Sequence, residues 1–139
     1  MFFDSLNDSN IIISSIANDT NLLTNPKLGL IRGNMFNNEY KTYKKIEPKE
    51  LNATNEQEQL LLKIYELCFA ITDLGLYLDL HKENKDIYSI YKSYVQKYKE
   101  YLKIYEDKYN ILFQDSTLKD NYTWPNKPWP FEMGGIKYV

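Results

Sequence analysis

The chain has few of the residues that carry most protein chemistry. Among its 139 residues there is one cysteine, Cys68, and one histidine, His81. A single cysteine excludes an intramolecular disulfide framework and is typical of a reducing compartment. A structural zinc site usually takes four nitrogen or sulfur ligands, and a di-metal site in a helical bundle takes Glu-x-x-His pairs, which the sequence lacks. Because no nucleophile and base are paired either, we expect no enzyme activity, no catalytic residue, no metal and no cofactor.

The chain also lacks a large charge of one sign and a long apolar run. Its 17 basic and 19 acidic residues give a formal net charge of −2, so no basic field indicates a nucleic-acid partner. Glu66, Asp73 and Asp79 interrupt the most apolar stretch, which falls short of the roughly 20 apolar residues of a membrane span. The first ten residues are acidic where a signal peptide is basic. These features predict synthesis in the cytoplasm, with no membrane span and no nucleic acid partner.

The stretch from Leu60 to Leu80 predicts a helix that is apolar on nearly all sides. One stripe has spacings of 4, 3, 4, 3 and 4 and consists of Leu60, Ile64, Leu67, Ile71, Leu74 and Leu78. Further apolar rows lie beside it, one with Cys68 as a predicted core thiol and another formed by Leu62, Phe69, Leu76 and Leu80. Only a narrow strip is expected to face water: Lys63, Glu66, Ala70, Asp73 and Tyr77. Such a helix must be surrounded by protein, so we expect other chains to help cover it.

Capping signals set the limits of two helices. Thr54 and Gln57 predict a capping box before a helix over about 56–80, and Asn84 is a candidate N-cap for a second helix over about 85–109. With a connection this short, the two helices are expected to pack antiparallel.

The second helix carries a regular aromatic stripe, which consists of Ile87, Tyr91, Tyr94, Tyr98, Tyr101 and Tyr105. A tyrosine ring buries a large area while its hydroxyl still needs a partner, so we predict that the stripe packs half in the hairpin and half in an interface. The 13 tyrosines also fit coding in an AT-rich genome. Asn110 is a candidate for a left-handed residue after this helix, and Gly75 predicts the close approach of another helix.

The sequence therefore predicts an all-α fold, an antiparallel two-helix hairpin completed by oligomerisation. Four regions are expected: a mostly disordered arm at 1–26, an aromatic docking segment at 27–49, the hairpin with its tail at 54–132, and a loose terminus at 133–139. The docking segment inserts into a partner or folds back on the hairpin through Phe36, Tyr40 and Tyr43. The tail alternates prolines with Trp124, Trp129 and Phe131, which predicts an extended, polyproline-like chain presenting large rings.

Residues from about 56 to 132 follow a pattern that can be compared with a known family. The pattern runs through Tyr65-Glu66-Leu67, Phe69-Ala70-Ile71, Asp73-Leu74, Tyr77-Leu78-Asp79-x-His81, Tyr122-x-Trp124 and Pro128-Trp129-Pro130-Phe131-Glu132. In this order it resembles the CotJB family of spore coat proteins from endospore-forming bacteria. Lys82 stands where that family often has proline, and Tyr122 and Phe131 where it often has tryptophan. Residues 27–48, with Gly29 to Phe36 and Tyr40, weakly resemble the sister coat protein CotJA.

The resemblance implies a non-enzymatic structural component of the spore coat that is made in the mother-cell cytoplasm. Its implied partners are further copies of itself and other coat proteins, notably a CotJC-like manganese catalase, to which any metal chemistry belongs. The candidate interface residues are Phe36, Tyr40, Tyr43, Tyr91, Tyr94, Tyr98, Tyr101, Tyr105, Trp124, Trp129 and Phe131. An alternative is an accessory subunit that binds and positions the catalase-like protein. A weaker alternative is cross-linking of tyrosines within the coat.

Overall fold

The computed structural model describes residues 22–41, 44 and 49–126, together with the backbone of 137–138. Its elements in chain order are α1 (Pro26–Arg32), a 3-10 turn (Asn37–Glu39), β1 (Leu51–Asn52), α2 (Glu56–Leu80), α3 (Lys85–Lys108) and β2 (Lys137–Tyr138). The predicted hairpin of two long helices is confirmed. Its helix limits differ from the prediction by one residue, at the end of α3.

Side-chain caps fix where the long helices begin. Asn55, rather than Thr54, is the N-cap of α2: its Oδ1 accepts the Glu58 amide at 2.8 Å. The Glu58 carboxylate then accepts from the amide and the hydroxyl of Thr54. The predicted capping box is therefore shifted by one residue, because asparagine caps as well as threonine and an ionised carboxylate is a stronger acceptor than the Gln57 amide. At the start of α3, Asn84 accepts from the Ile87 amide, as predicted.

The helices α2 and α3 pack antiparallel around one core. At the open end of the hairpin, Gln57 donates to the Tyr105 hydroxyl at 3.1 Å and Lys108 pairs with Glu56. The core residues come from both helices and are Leu60, Leu61, Ile64, Leu67, Ala70, Leu74, Ile87, Ile90, Tyr94, Tyr101 and Tyr105. Burial of each large side chain contributes about 1.5–3 kcal/mol relative to exposure, so this core is the main stabilising feature of the described chain.

A compact N-terminal unit, residues 22–40, folds back onto α2. In this unit Asn25 caps α1, Pro26 occupies its first turn, and Gly33 ends it with a φ of 73°, a left-handed conformation that suits glycine. The spacing of Phe36, Tyr40 and Tyr43 by four and three residues would also fit one side of a short helix. Phe36 is extended and follows α1, because Asn25-Pro26 and Gly33 set the helix limits first.

Of the strip of α2 that was expected to face water, only Lys63 is exposed, so the expectation is wrong for the other four residues. Ala70 is 0% exposed and Glu66 is 3% exposed. Asp73 accepts the Met35 amide at 2.8 Å, and the Tyr77 ring lies 4.8 Å from that of Phe36. Asp73 and Tyr77 thus serve as a docking surface for the chain's own segment. Glu66 instead pairs with Lys63 of the same helix.

The chain after α3 returns along the end of the hairpin. No residue other than glycine has a positive φ in the described part of the chain, so the left-handed prediction for Asn110 is wrong. Its side chain instead accepts from the Thr123 hydroxyl and from the Ile111 amide. The expected loose terminus is also incorrect at Lys137–Tyr138, which pair antiparallel with Leu51–Asn52.

The space between Gly75 and the ring of Tyr91 is large enough for a methyl group. A Cβ added at Gly75 meets the Tyr91 ring at 3.6 Å, an ordinary van der Waals distance. The predicted close helix approach is therefore not what keeps glycine at this position.

We expect Gly75→Ala to raise the free energy of unfolding by about 0.5–1 kcal/mol, because alanine is the better helix former and fits the space. Chemical denaturation of the two proteins measures the difference. Gly33→Ala is the control and is expected to be destabilising, because its φ is positive. A destabilised Gly75→Ala protein would contradict the packing described here.

Candidate interaction surface

One side of α2 is left uncovered by the rest of the described chain. Five exposed residues recur there at spacings of three or four and form the open face: Tyr65, Cys68, Thr72, Leu76 and Leu80. The half-buried Leu62 and Phe69 lie beside it. Leu76 is 63% exposed and Leu80 is 82% exposed. From Tyr65 to Leu80 the face runs about 22 Å along the helix axis. Leu76 and Leu80 belong to an apolar row of the helix that other chains are predicted to help cover, and that coverage stays a prediction.

The start of α3 extends the open face at the loop end of the hairpin. Tyr88 is half exposed, and its ring stacks beside that of Tyr91 with the centroids 6.3 Å apart. The contact of Tyr91 with Gly75 places this pair next to α2. The Lys92 ammonium lies 4.9 Å from the centre of the Tyr88 ring. The rings of Tyr88 and Tyr91, with the Lys92 ammonium beside them, thus continue the open face. Aromatic residues of this kind are enriched at protein interfaces.

Charged groups are scarce on the open face. Asp79 is exposed at its edge near the end of α2, and Cys68, predicted as a core thiol, is exposed within it. Large exposed apolar patches mark interaction sites on soluble proteins. Depletion of charge at the centre is the composition expected of a protein–protein interface.

The predicted tyrosine stripe is turned largely toward the chain's own core. Tyr94, Tyr101 and Tyr105 are buried, whereas Tyr91 and Tyr98 are half-buried. Burial raises the pKa of Tyr98, Tyr101 and Tyr105 above the usual value. The inward part of this stripe is the packing between α2 and α3, so surface contact with a partner is open mainly to Tyr91 and Tyr98.

Tyr94 differs from the other stripe residues because its buried hydroxyl has no hydrogen-bond partner in the described structure. Burial raises the pKa of Tyr94 to about 12. The folded chain therefore keeps this proton at pH values where the unfolded chain, with a pKa near 10, has lost it. Below pH 10 the group has no effect on the pH dependence, and stability falls as the pH rises from 10 toward 12.

We expect Tyr94→Phe to leave stability at neutral pH unchanged or to raise it by up to about 1 kcal/mol, because an unpaired buried hydroxyl is removed. Between pH 10 and 12 the variant is expected to lose roughly 2–3 kcal/mol less than the unmodified chain. Urea denaturation at several pH values tests both. The control, Tyr105→Phe, removes the bond to Gln57 and is expected to lower stability by about 1 kcal/mol. Equal behaviour of the two variants would contradict this account.

The aromatic residues of the N-terminal unit contact their own chain. Phe36 is buried against Tyr77, and the Tyr77 ring stacks on His81 with the centroids 4.3 Å apart. The Arg32 guanidinium lies 4.0 Å above the Tyr40 ring. Tyr43, the third aromatic residue predicted for this segment, lies outside the described residues.

The described part of the tail ends in a turn. The Asn126 amide bonds to the Thr123 carbonyl across Trp124, which is half-buried. Trp129 and Phe131 lie outside the described residues, so their predicted interface role stays a prediction.

Sequence reasoning missed two carboxylates that hold segments of the chain in place. Glu106, 2% exposed, accepts the Leu112 amide at 2.8 Å and the Ser116 hydroxyl at 2.7 Å. Asp73 holds the N-terminal unit through Met35. Asp73 was expected to face water, and the only sequence signal of either residue is a carboxylate on an otherwise apolar or aromatic face.

The described residues contain no cluster of three or more histidine, cysteine or acidic side chains that could hold a metal ion. None of their helices is long and apolar enough to cross a membrane.

The comparisons with known proteins give one match. The family model described as CotJB protein matches residues 58–132, more than half of the chain. It covers α2 except its first two residues, all of α3 and the chain as far as residue 132, and excludes the N-terminal unit. None of the curated proteins and no solved structure matches the chain. The resemblance found in the sequence over about 56–132 is thereby confirmed, and the weak similarity of residues 27–48 to CotJA stays a prediction.

Proposed function

Because the chain belongs to the CotJB family, whose members are associated with the bacterial spore coat, we propose that it is a non-enzymatic structural and assembly component of that coat. The observation that carries the proposal is the open face. Five neighbouring residues of α2, with Leu76 and Leu80 the most exposed, lie uncovered beside a well-packed core. An exposed apolar surface promotes aggregation unless a partner covers it, so its presence favours a role in assembly.

The open face is proposed to pack against a second copy or against another coat protein. Leu76 and Leu80 are the anchors, since they have the most apolar surface to bury. Covering each leucine contributes roughly 1.5–3 kcal/mol to association. In a coat built from many repeated contacts, these contributions add up. Tyr88 and Tyr91 continue this surface, and the aromatic tail is proposed as a second contact. Synthesis in the mother cell before assembly is part of the proposal.

The test compares two tagged variants during sporulation. Leu76→Glu with Leu80→Glu introduces two charges into the open face. Ser89→Glu with Gln96→Glu introduces the same charge at exposed positions of α3. We expect the unmodified chain and the α3 variant in the extracted coat fraction, and the open-face variant in the soluble fraction. If the open-face variant is incorporated into the coat as well as the control is, the proposed surface is rejected.

A manganese-catalase-like coat protein is the specific partner that the family resemblance suggests. It is proposed as one occupant of the open face, in line with the accessory role considered for this chain. Adding the purified chain to such a catalase is then expected to give a co-complex that the open-face variant fails to form. If the catalase keeps the same mass, peroxide turnover and thermal stability when the chain is added, it is not a partner. Self-assembly of the chain would then still be tested by the coat experiment.

A further inference from the structure

The N-terminal unit has the hydrogen bonding of a small self-contained module. The Thr24 amide bonds to the Met35 carbonyl at 2.8 Å, and the Asn37 amide to the Leu22 carbonyl at 2.9 Å, so both ends of the unit are tied together. Between them α1 is capped by its own Asn25 and Gly33. The unit thus satisfies these backbone groups without help from the hairpin, which is what a separable ligand requires.

The contact between this unit and α2 is compact and specific. It centres on the docking strip of α2, defined here as Asp73 and Tyr77. Met35 is 0% exposed, and its amide donates to the Asp73 carboxylate at 2.8 Å. Next to it, Phe36 packs on Tyr77. A charge-assisted hydrogen bond from the backbone amide of a buried methionine to a carboxylate, with a packed aromatic pair beside it, has the form of a peptide-recognition site.

Gly29 adapts the unit to its buried methionine. A Cβ at Gly29 would overlap the Met35 sulfur, so this glycine lets the Met35 side chain fold beneath α1. The pattern that the docking strip accepts is therefore a short capped helix with a small residue in its middle, followed by glycine, asparagine, methionine and phenylalanine.

The limits of the family match separate the site from its occupant. The docking strip lies inside the matched range of 58–132, whereas the N-terminal unit lies wholly outside it. A domain shared by the family thus carries a surface that, in this chain, is filled by a segment the family model does not include. Residues 41–50 connect the two, and ten extended residues reach roughly 33–36 Å, enough to let the unit bind or leave as one body.

We propose that the docking strip is a peptide-binding site and that residues 22–40 are its ligand, supplied here by the same chain. A separate polypeptide with this pattern binds the strip in place of the unit. This site is on a different side of α2 from the open face and is independent of the assembly function proposed above.

The test cuts the full chain between the unit and the hairpin. A protease recognition sequence inserted between Lys44 and Lys49 allows cleavage after folding, and size-exclusion chromatography with mass detection follows the two fragments. We expect the fragments to migrate together at micromolar concentrations and a synthetic peptide of residues 22–40 to displace the N-terminal fragment. Separation of the fragments, or failure of the peptide to displace, would overturn the proposal.

Asp73→Ala in the cut chain tests the recognition contact. It is expected to raise the dissociation constant of the peptide about ten- to hundredfold, the usual loss for a hydrogen bond to a charged group. Asp79→Ala removes the same charge from an exposed position on the same helix and is expected to change it less than threefold. Equal effects would overturn the assigned contact. Circular dichroism is recorded in parallel, and loss of the hairpin's helicity on release would show an ordinary part of the fold instead of a ligand.

Discussion

Replacing Glu106 with alanine is expected to lower the free energy of unfolding by about 2–4 kcal/mol. The carboxylate is buried and accepts two hydrogen bonds, one from the Leu112 amide and one from the Ser116 hydroxyl. Alanine leaves both donors without this acceptor, and each lost bond to a charged group costs about 1.5–3 kcal/mol, partly recovered by relaxation of the turn toward water. Urea denaturation at neutral pH measures the change.

Glu100→Ala is the matched control on the same helix. Glu100 is exposed, and its carboxylate accepts from Gln96, a contact worth about 0.2–0.5 kcal/mol. Glu106→Gln keeps one acceptor oxygen and is expected to fall between the two alanine variants. Tryptophan fluorescence reports loosening of the tail, since Trp124 lies in it. If the two alanine variants unfold at the same urea concentration, Glu106 does not hold the tail as described.

Leu76→Glu with Leu80→Glu is expected to abolish association of the purified chain while leaving its fold intact. Covering two leucines contributes roughly 3–6 kcal/mol, and losing it weakens association by a factor of at least about a hundred. Both side chains are largely exposed in the single chain, so helicity and unfolding free energy are expected to change by less than about 0.5 kcal/mol. Sedimentation velocity over a concentration series measures the association.

Ser89→Glu with Gln96→Glu again serves as the control for added charge. These exposed residues lie on the side of α3 away from α2, and the control is expected to associate like the unmodified chain. Association that survives in the open-face variant, or that disappears equally in the control, would place the interface elsewhere on the molecule.

The limits and pairing of the long helices could be predicted because local chemistry determines them. Asn84 is a good N-cap, and the 4, 3 spacing of apolar residues identifies the inward side of each helix. The direction in which each remaining side of α2 faces could not be predicted. With nearly every side apolar, hydropathy does not distinguish a surface covered by the same chain from one left open.

The missed site residues depend on segments distant in the sequence. Asp73 receives its partner from Met35, 38 residues earlier, and no spacing rule connects the two. Local signals alone made the strip with Asp73 appear solvated. The difference follows from the N-terminal unit, which folds onto the side of α2 that contains Asp73.

The most direct test of burial of the open face on assembly is the reactivity of Cys68. It is the single cysteine of the chain and is exposed on that face. A thiol reagent is added to the unmodified chain at concentrations where it is assembled, and to the variant with Leu76→Glu and Leu80→Glu at the same concentrations. The account predicts slow labelling in the assembly and at least roughly tenfold faster labelling in the variant, because a covered thiol is not accessible. Equally fast labelling of Cys68 in the assembled chain would contradict it.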